Sequence, residues 1–234
     1  MKMDKIPGLI LINAALLIGL SNCQQTTVTD VATADVFIKT IINQGDTLFA
    51  TAHSVFSYNR MSFVAVKPPN GDSIPLPGIA DGGISIFKEP LLALGDYKKV
   101  LPLAGTYTYD VTFKDKTQQT LTNALGADFI LPAVIDSLVK SSDGQSVILS
   151  WNTVPGAQLY QIRVTKGTIE VIPAQLYSPA ASLSAILEVQ FPITSFSRYL
   201  PGTFTVELDA LLYESADLLL IQAMSISDGS ITLP

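Results

Sequence analysis

Apolar and polar residues alternate over short segments of this chain, and no segment shows a long helical period. In residues 106–113, Tyr107, Tyr109, Val111 and Phe113 occupy every second position, with polar residues between them. Because successive side chains of a strand point to opposite faces, this pattern predicts a half-buried antiparallel strand. The same reasoning predicts six further strands in the first half, over residues 36–42, 47–55, 61–67, 84–87, 97–101 and 118–125.

Turn residues separate these segments. Residues 68–72 read Pro-Pro-Asn-Gly-Asp, and they predict a turn because proline cannot continue a central strand and Asn-Gly favours a tight hairpin. Seven short strands within residues 36–125 favour a β-sandwich. After a passage punctuated by Gly126 and Pro132 the short segments recur, so we expect an all-β chain with two tandem sandwiches.

In the second half, strands are predicted over residues 135–139 and 222–227, with a terminal strand or tail over 230–233. The interval between residues 169 and 196 is longer than the neighbouring connections. Within it, residues 182–190 fit either an added strand or a short helix, and both alternatives stay open.

The segment Leu-Ser-Trp at residues 149–151, the turn at 154–157 and residues 160–164 resemble strands B and C of a fibronectin type III domain. The resemblance implies that Trp151 and Tyr160 pack face to face in the core. Residues 101–107 resemble the tyrosine corner of immunoglobulin-like domains, which implies that the Tyr107 hydroxyl bonds to upstream backbone. Phe204 stands at the corresponding position of the second half.

Two six-residue segments, 103–108 and 200–205, are similar, and their glycines, Gly105 and Gly202, lie 97 residues apart. That spacing is about one sandwich domain. We therefore predict an immunoglobulin-like sandwich over residues 35–126 and a fibronectin type III-like sandwich over residues 132–234.

The first residues have the build of a secretory signal: Lys2 and Lys5 precede an apolar run over residues 6–20. That run has 15 residues, whereas a membrane-spanning helix needs roughly 20. Residues 20–23, Leu-Ser-Asn-Cys, resemble the lipobox of bacterial lipoproteins, although that family prefers Gly or Ala where this chain has Asn22. The alternatives are an ordinary signal peptide and an uncleaved anchor.

The lipoprotein resemblance implies cleavage of a signal peptide, residues 1–22, and acylation of Cys23, the only cysteine. Multiple acyl chains give stable anchoring, which one chain does not. The expected location is therefore the bacterial cell envelope, with the membrane bound through Cys23. In that family an Asp after the cysteine signals inner-membrane retention, so Gln24 favours the outer membrane. Residues 23–34, rich in Thr and Gln, are predicted to be a tether.

The net charge of the chain bears on whether nucleic acid is an expected partner. Without residues 1–22 the chain has 12 basic and 19 acidic side chains, a net charge of 12 minus 19, or −7. Nucleic acid is not an expected partner, because phosphate binding needs a basic surface. The single cysteine also means that no disulfide forms within the chain, so apolar packing must hold the sandwiches together.

Few residues suit catalysis. His53 is the only histidine, and we interpret it as a polar residue near a strand end. No Gly-x-Ser-x-Gly elbow or phosphate-binding glycine loop is present. Four aspartates adjoin Gly or Ser and are explained by turn chemistry, namely Asp72, Asp81, Asp143 and Asp228. We expect no enzyme activity, no metal and no cofactor.

Aromatic residues near predicted loops are the candidate binding residues, because they can stack on sugar rings or anchor a protein partner. They form two groups, Phe56, Tyr58 and Arg60 in the first half and Tyr177, Phe196 and Tyr199 in the second. Each group could instead cap the core. The leading hypothesis is a non-catalytic spacer or protein-interaction module, and the alternative is a carbohydrate-binding accessory lipoprotein for glycan capture.

Overall fold

The computed structural model describes residues 32–81, 84–88, 92–179, 185–214 and 217–234, which form fifteen strands and two short 3-10 helices. The helices are Leu94–Asp96 and Ile193–Tyr199. The strands are β1 Ala32–Asn43, β2 Asp46–Ser57, β3 Met61–Lys67, β4 Ile74–Pro75, β5 Gly78–Asp81, β6 Ile84–Lys88, β7 Gly105–Phe113, β8 Gln118–Leu125, β9 Ile135–Lys140, β10 Ser146–Asn152, β11 Leu159–Lys166, β12 Ile169–Tyr177, β13 Ile186–Pro192, β14 Gly202–Glu214 and β15 Asp217–Leu233.

The strands form three sheets, so the predicted all-β class is confirmed. The largest has eight strands in the order β12-β11-β14-β15-β1-β2-β6-β5. The others have the orders β4-β3-β7-β8 and β13-β10-β9. Alternation along each strand places one set of side chains between the sheets, as in β7, where Tyr107, Tyr109, Val111 and Phe113 are all buried.

The first half is an immunoglobulin-like sandwich. Strands β1, β2, β6 and β5 face the sheet that contains β3, β7 and β8, which is the division of strands found in immunoglobulin domains. The predicted tyrosine corner is confirmed, because the Tyr107 hydroxyl donates a hydrogen bond to the Leu103 carbonyl oxygen at 3.0 Å. Tyr107 itself is 4% exposed, so this bond serves the hydroxyl of a side chain that is mostly buried.

The second half is a fibronectin type III-like sandwich in which β9, β10 and β13 face β11, β12, β14 and β15. Trp151 on β10 and Tyr160 on β11 meet in its core, as predicted, with ring centroids 5.4 Å apart. Their rings are inclined by 64°, so the contact is edge to face rather than the predicted face to face. Edge-to-face geometry is favoured because the positive ring edge meets the negative ring face.

Several predicted boundaries were wrong. Residues 97–101 do not form a strand, because their only ladder contact among the described residues is the single bridge between Phe49 and Lys98. β1 begins at Ala32, so three residues of the predicted tether belong to a strand. The predicted separate segments 222–227 and 230–233 are parts of one strand, β15. Residues 182–190 were predicted to form either an added strand or a short helix. From Ile186 onward they belong to the strand β13.

The two halves share the largest sheet. β1 pairs with β15 in parallel, from Ile38 opposite Ala223 to Thr40 opposite Ser225. The Asp35 carboxylate accepts a hydrogen bond from the Ile221 backbone N–H at 2.9 Å. Residues 31–234 form one compact unit. The predicted division at residues 126–132 stays a prediction, and the structure shows that strand pairing crosses it.

Asn123 on β8 makes a second polar connection between the halves. Its side-chain oxygen accepts a hydrogen bond from the Val36 N–H at 3.1 Å, and its amide nitrogen donates to the Glu214 carboxylate at 3.1 Å. Asn123 is 9% exposed. One buried amide therefore connects β8, β1 and β14.

Candidate functional site

Cys23, the predicted lipidation site, lies outside the described residues, and so do the predicted signal peptide and most of the tether. Lipidation of Cys23 therefore stays a prediction. Within the described ranges, no helix is both long enough and apolar enough to cross a bilayer.

The first candidate binding group lies where β2 ends and β3 begins. Phe56 belongs to β2 and is half-buried, so it is a strand residue rather than a loop residue. Tyr58 is 78% exposed, and Arg60 is exposed beside it. The Arg60 carbonyl oxygen accepts a hydrogen bond from the Lys114 N–H at 2.9 Å, which ties this loop to the turn between β7 and β8. Of the three residues, Tyr58 and Arg60 present side chains to solvent.

The second candidate group is not brought together in space. Tyr177 is opposite Tyr160 near the start of β11, whereas the Tyr199 carbonyl oxygen accepts a hydrogen bond from the Lys166 ammonium at the end of β11. Six residues of strand separate these points, which is roughly 20 Å. Phe196 is fully buried and packs edge to face on Phe204 at 5.1 Å. Phe196 is therefore a core residue, as the alternative for these aromatics has it, and it is not a candidate binding residue because its ring fills the core below β14.

An aromatic cleft of about 390 Å³ opens beside Tyr177, between β12 and β13. The Trp151 and Tyr160 rings are each 1% exposed, so neither offers a face on which a sugar ring could stack. Burial raises the pKa of Tyr177, whose hydroxyl donates to the Gln175 side-chain oxygen at 2.8 Å. The cleft is lined by Trp151, Tyr160, Tyr177, Ser178, Ile186, Leu187 and Glu188.

His53 belongs to a buried polar network in the first sandwich. Its Nδ1 lies 2.9 Å from the Tyr109 hydroxyl oxygen, and that hydroxyl donates to the Asp35 carbonyl oxygen at 3.1 Å. Because the single Tyr109 proton is used on Asp35, the consistent assignment places a proton on His53 Nδ1, which donates to Tyr109. Burial lowers the pKa of His53 to about 4. The imidazole is therefore neutral near pH 7 and connects β2, β7 and β1.

Asp209 is a buried carboxyl group that the sequence reasoning missed. It lies on β14 and is 4% exposed. Burial, followed by the charges of Glu207 and Asp228, raises the pKa of Asp209 to about 7, against the opposing effect of Arg163 and Lys39. The available signal was an aspartate two residues after Glu207 in an apolar strand, but that pattern does not show what covers the outer face of the sheet.

The described ranges contain no group of three or more His, Cys, Asp or Glu side chains that could hold a metal ion. One Asp209 carboxylate oxygen, Oδ1, is buried and has no hydrogen-bond partner among the described residues. The nearby Glu207 carboxylate is paired with the Arg163 guanidinium.

A scan against protein-family models matches no family, and no curated protein matches the chain. Among solved structures, the chain is similar to one described as the crystal structure of chicken CNTN1 FN1-FN3 domains, with 15% sequence identity and a TM-score of 0.26. The match covers 87% of this chain and 64% of that chain, so this chain spans less than two thirds of that structure. The fold assignment rests on the strand order and registers given above.

Proposed function

We propose that this protein is a lipid-anchored component of the bacterial cell envelope, whose two sandwiches act as one rigid module for contact with a protein partner. The observation that carries the proposal is the shared eight-stranded sheet. β1 pairs with β2 on one side and β15 on the other, and Asp35 and Asn123 add buried polar contacts between the halves. Such a module holds the surfaces of its two halves in a defined position relative to each other.

The direction of β1 supports a spacer role. β1 begins at Ala32, nine residues after Cys23, and continues for 12 residues to Asn43. At about 3.3 Å per residue, the end of β1 lies roughly 36 Å from its start. Residues near Asn43 are therefore separated from the tether by the length of the strand.

The role proposed is non-catalytic and uses no cofactor. His53 is the side chain whose usual pKa best suits acid-base catalysis, but it is buried, neutral and hydrogen-bonded to Tyr109. The acidic character of the chain, with a net charge of −7 after residue 22 (12 minus 19), supports a partner other than nucleic acid.

Anchoring is tested by changing Cys23→Ala in the full chain and following incorporation of a labelled fatty acid in cells. We expect the label and the membrane-bound fraction to be lost together. Asn22→Gly is the matched control, since it supplies the residue the lipoprotein family prefers and should keep the label. Fatty-acid incorporation that persists in the Cys23→Ala protein would overturn the anchor.

The interaction role is tested by placing a photoreactive side chain at Tyr58, Leu176 or Ile169, which are all exposed, and irradiating intact cells. In the protein that keeps Cys23, we expect a specific protein crosslink from at least one position. The yield of that crosslink should fall in the Cys23→Ala protein. A glycan array on the purified processed protein is the parallel assay. Saturable glycan binding that Tyr58→Ala abolishes, with no protein crosslink, would favour the carbohydrate-binding alternative instead.

A further inference from the structure

A groove opens where β1 and β15 separate. The two strands are in register only from Ile38 opposite Ala223 to Thr40 opposite Ser225. Beyond that point, residues 41–43 at the end of β1 and residues 226–228 of β15 line a cavity of about 390 Å³, together with Leu94 and residues 132–134 of the connecting segment. We call this cavity the junction groove.

The junction groove exposes a strand edge that has no backbone ladder. Among the described residues, β14 is the strand that pairs with β15 from Ile226 to Leu233, and the opposite edge has no strand in register with it. The connecting segment lies beside the start of this stretch, where the Ser225 and Ser227 hydroxyls donate to the Leu131 and Ala133 carbonyl oxygens. These are side-chain hydrogen bonds, and they do not supply the backbone pairing of a partner strand. An unpaired edge presents backbone N–H and C=O groups in the spacing that another strand requires. An extended peptide that adds to such an edge gains main-chain hydrogen bonds, while pockets select its alternate side chains.

The groove has an apolar rim. Ile42 and Leu94 are each 54% exposed, and Val134 is 62% exposed. Isolated exposed aliphatic residues are ordinary, but several at one concave site are typical of an interaction surface. These three come from the end of β1, from the 3-10 helix Leu94–Asp96 and from the connecting segment, so only the folded chain brings them together.

Asp228 gives the groove a negative charge. Asp228 is one of the residues that line the cavity, and burial followed by the charge of Glu207 raises the pKa of its carboxyl group, with Arg163 opposing. A cationic side chain beside Asp228 would offset this unfavourable environment. The groove therefore favours a ligand that combines aliphatic and cationic side chains.

We infer that the junction groove receives an extended segment of a partner protein, which pairs with the free edge of β15. Aliphatic side chains of that segment pack on Ile42, Leu94 and Val134, and a Lys or Arg lies beside Asp228. This inference rests on the proposed interaction role and specifies its surface and the chemistry of its partner.

The test uses fluorescent nine-residue peptides of alternating Val and Thr, whose central Thr is kept, replaced by Lys or replaced by Glu. Binding to the purified full-length processed protein is measured by fluorescence anisotropy. We expect the Lys peptide to bind at least about tenfold more tightly than the Glu peptide. A Lys peptide with N-methylated backbone on its pairing edge should not bind, because it lacks the N–H donors.

Two surface variants locate the binding. Asp228→Lys should reverse the preference between the Lys and Glu peptides, and Asp72→Lys, at an exposed loop position, should leave it unchanged. Val134→Asn, which removes the apolar contact without adding charge, should weaken the Lys peptide about tenfold, about 1.4 kcal/mol. Val139→Asn, at a similarly exposed position on β9, is its control. Circular dichroism of each variant verifies folding.

The inference is overturned if the N-methylated peptide binds equally well, or if Asp228→Lys leaves the preference unchanged. It is also overturned if Val134→Asn abolishes a concentration-dependent dimer of the protein, since the groove would then receive a second copy, or if vesicles of anionic lipid compete for it. Crosslinks to an envelope protein from Tyr58, Leu176 or Ile169 without peptide binding would reject the groove and leave the proposed function standing.

Discussion

Replacing Asp209 with Asn should stabilise the protein at neutral and alkaline pH. Burial raises the pKa of Asp209 from 3.8 to about 7, so the folded state holds this proton more tightly than the unfolded state does. The stability this provides is fully present below about pH 4 and is lost as the pH rises through 7. A shift of about 3 units corresponds to at most about 4 kcal/mol, and Asn avoids that loss because it does not ionise.

The pH dependence of the wild-type free energy of unfolding also contains a contribution from His53. Burial lowers the pKa of His53 from 6.5 to about 4, so its contribution to stability is present above pH 6.5 and is lost as the pH falls through 4. Between about pH 4 and pH 6.5 the two groups therefore act in opposite directions and nearly cancel. In the Asp209→Asn protein the His53 effect is no longer offset by Asp209, so its stability should rise with pH across that interval more than that of the wild type.

Urea denaturation followed by circular dichroism at a series of pH values measures this prediction. The two proteins should have similar free energies of unfolding near pH 4, and the variant should exceed the wild type by up to about 4 kcal/mol near pH 8. Asp72→Asn, at an exposed position, is the matched control and should follow the wild type. Parallel profiles for wild type and Asp209→Asn would refute the claim that Asp209 ionises at an unfavourable buried position.

Four further outcomes follow from the contacts described. Tyr107→Phe should cost about 1 kcal/mol in urea unfolding, because it removes one hydrogen bond to Leu103. Tyr109→Phe should cost more, about 1–3 kcal/mol, because it removes the group shared by His53 and Asp35; an equal or smaller cost than Tyr107→Phe would contradict the network. Asn123→Ala should cost a similar 1–3 kcal/mol, since the buried Val36 N–H loses its acceptor. Fluorescence of the only tryptophan, in the second half, and circular dichroism of the whole protein should report coincident unfolding transitions, and two separate midpoints would show that the halves unfold independently.

The alternation of apolar and polar residues predicted strands correctly where one face of the strand is buried. The alternation over residues 106–113 predicted β7 and its four inward residues, because burial of one face selects apolar side chains at every second position. The tyrosine corner was predicted from the resemblance of residues 101–107 to immunoglobulin-like domains, and the bond it implies is local, since the hydroxyl of Tyr107 bonds to a carbonyl only four residues away. The prediction was wrong at residues 97–101. Their sequence resembles a strand, but it does not show that they pair only through a single bridge to Phe49.

For the candidate binding residues, local sequence did not predict which side chains are exposed. Phe196 and Tyr58 are both aromatic residues near turns, yet one is fully buried and the other is 78% exposed. Their environments depend on packing partners that are distant along the chain, such as the linkage of the Tyr58 loop to Lys114 through Arg60. Residue type and local spacing carry no information about those partners.

The sequence by itself determined the all-β class, most strand positions and the turn residues, because short-range periodicity imposes them. The contact of Trp151 with Tyr160 was predicted only through the resemblance to fibronectin type III domains. Only the tertiary structure decided that β1 lies beside β15, that Asp209 and His53 are buried, and that Ile42, Leu94 and Val134 border one groove. These features join residues separated by up to about two hundred positions, as Asp35 and Ile221 are. Such contacts are selected by the free energy of the whole fold, and no local pattern of residues encodes them.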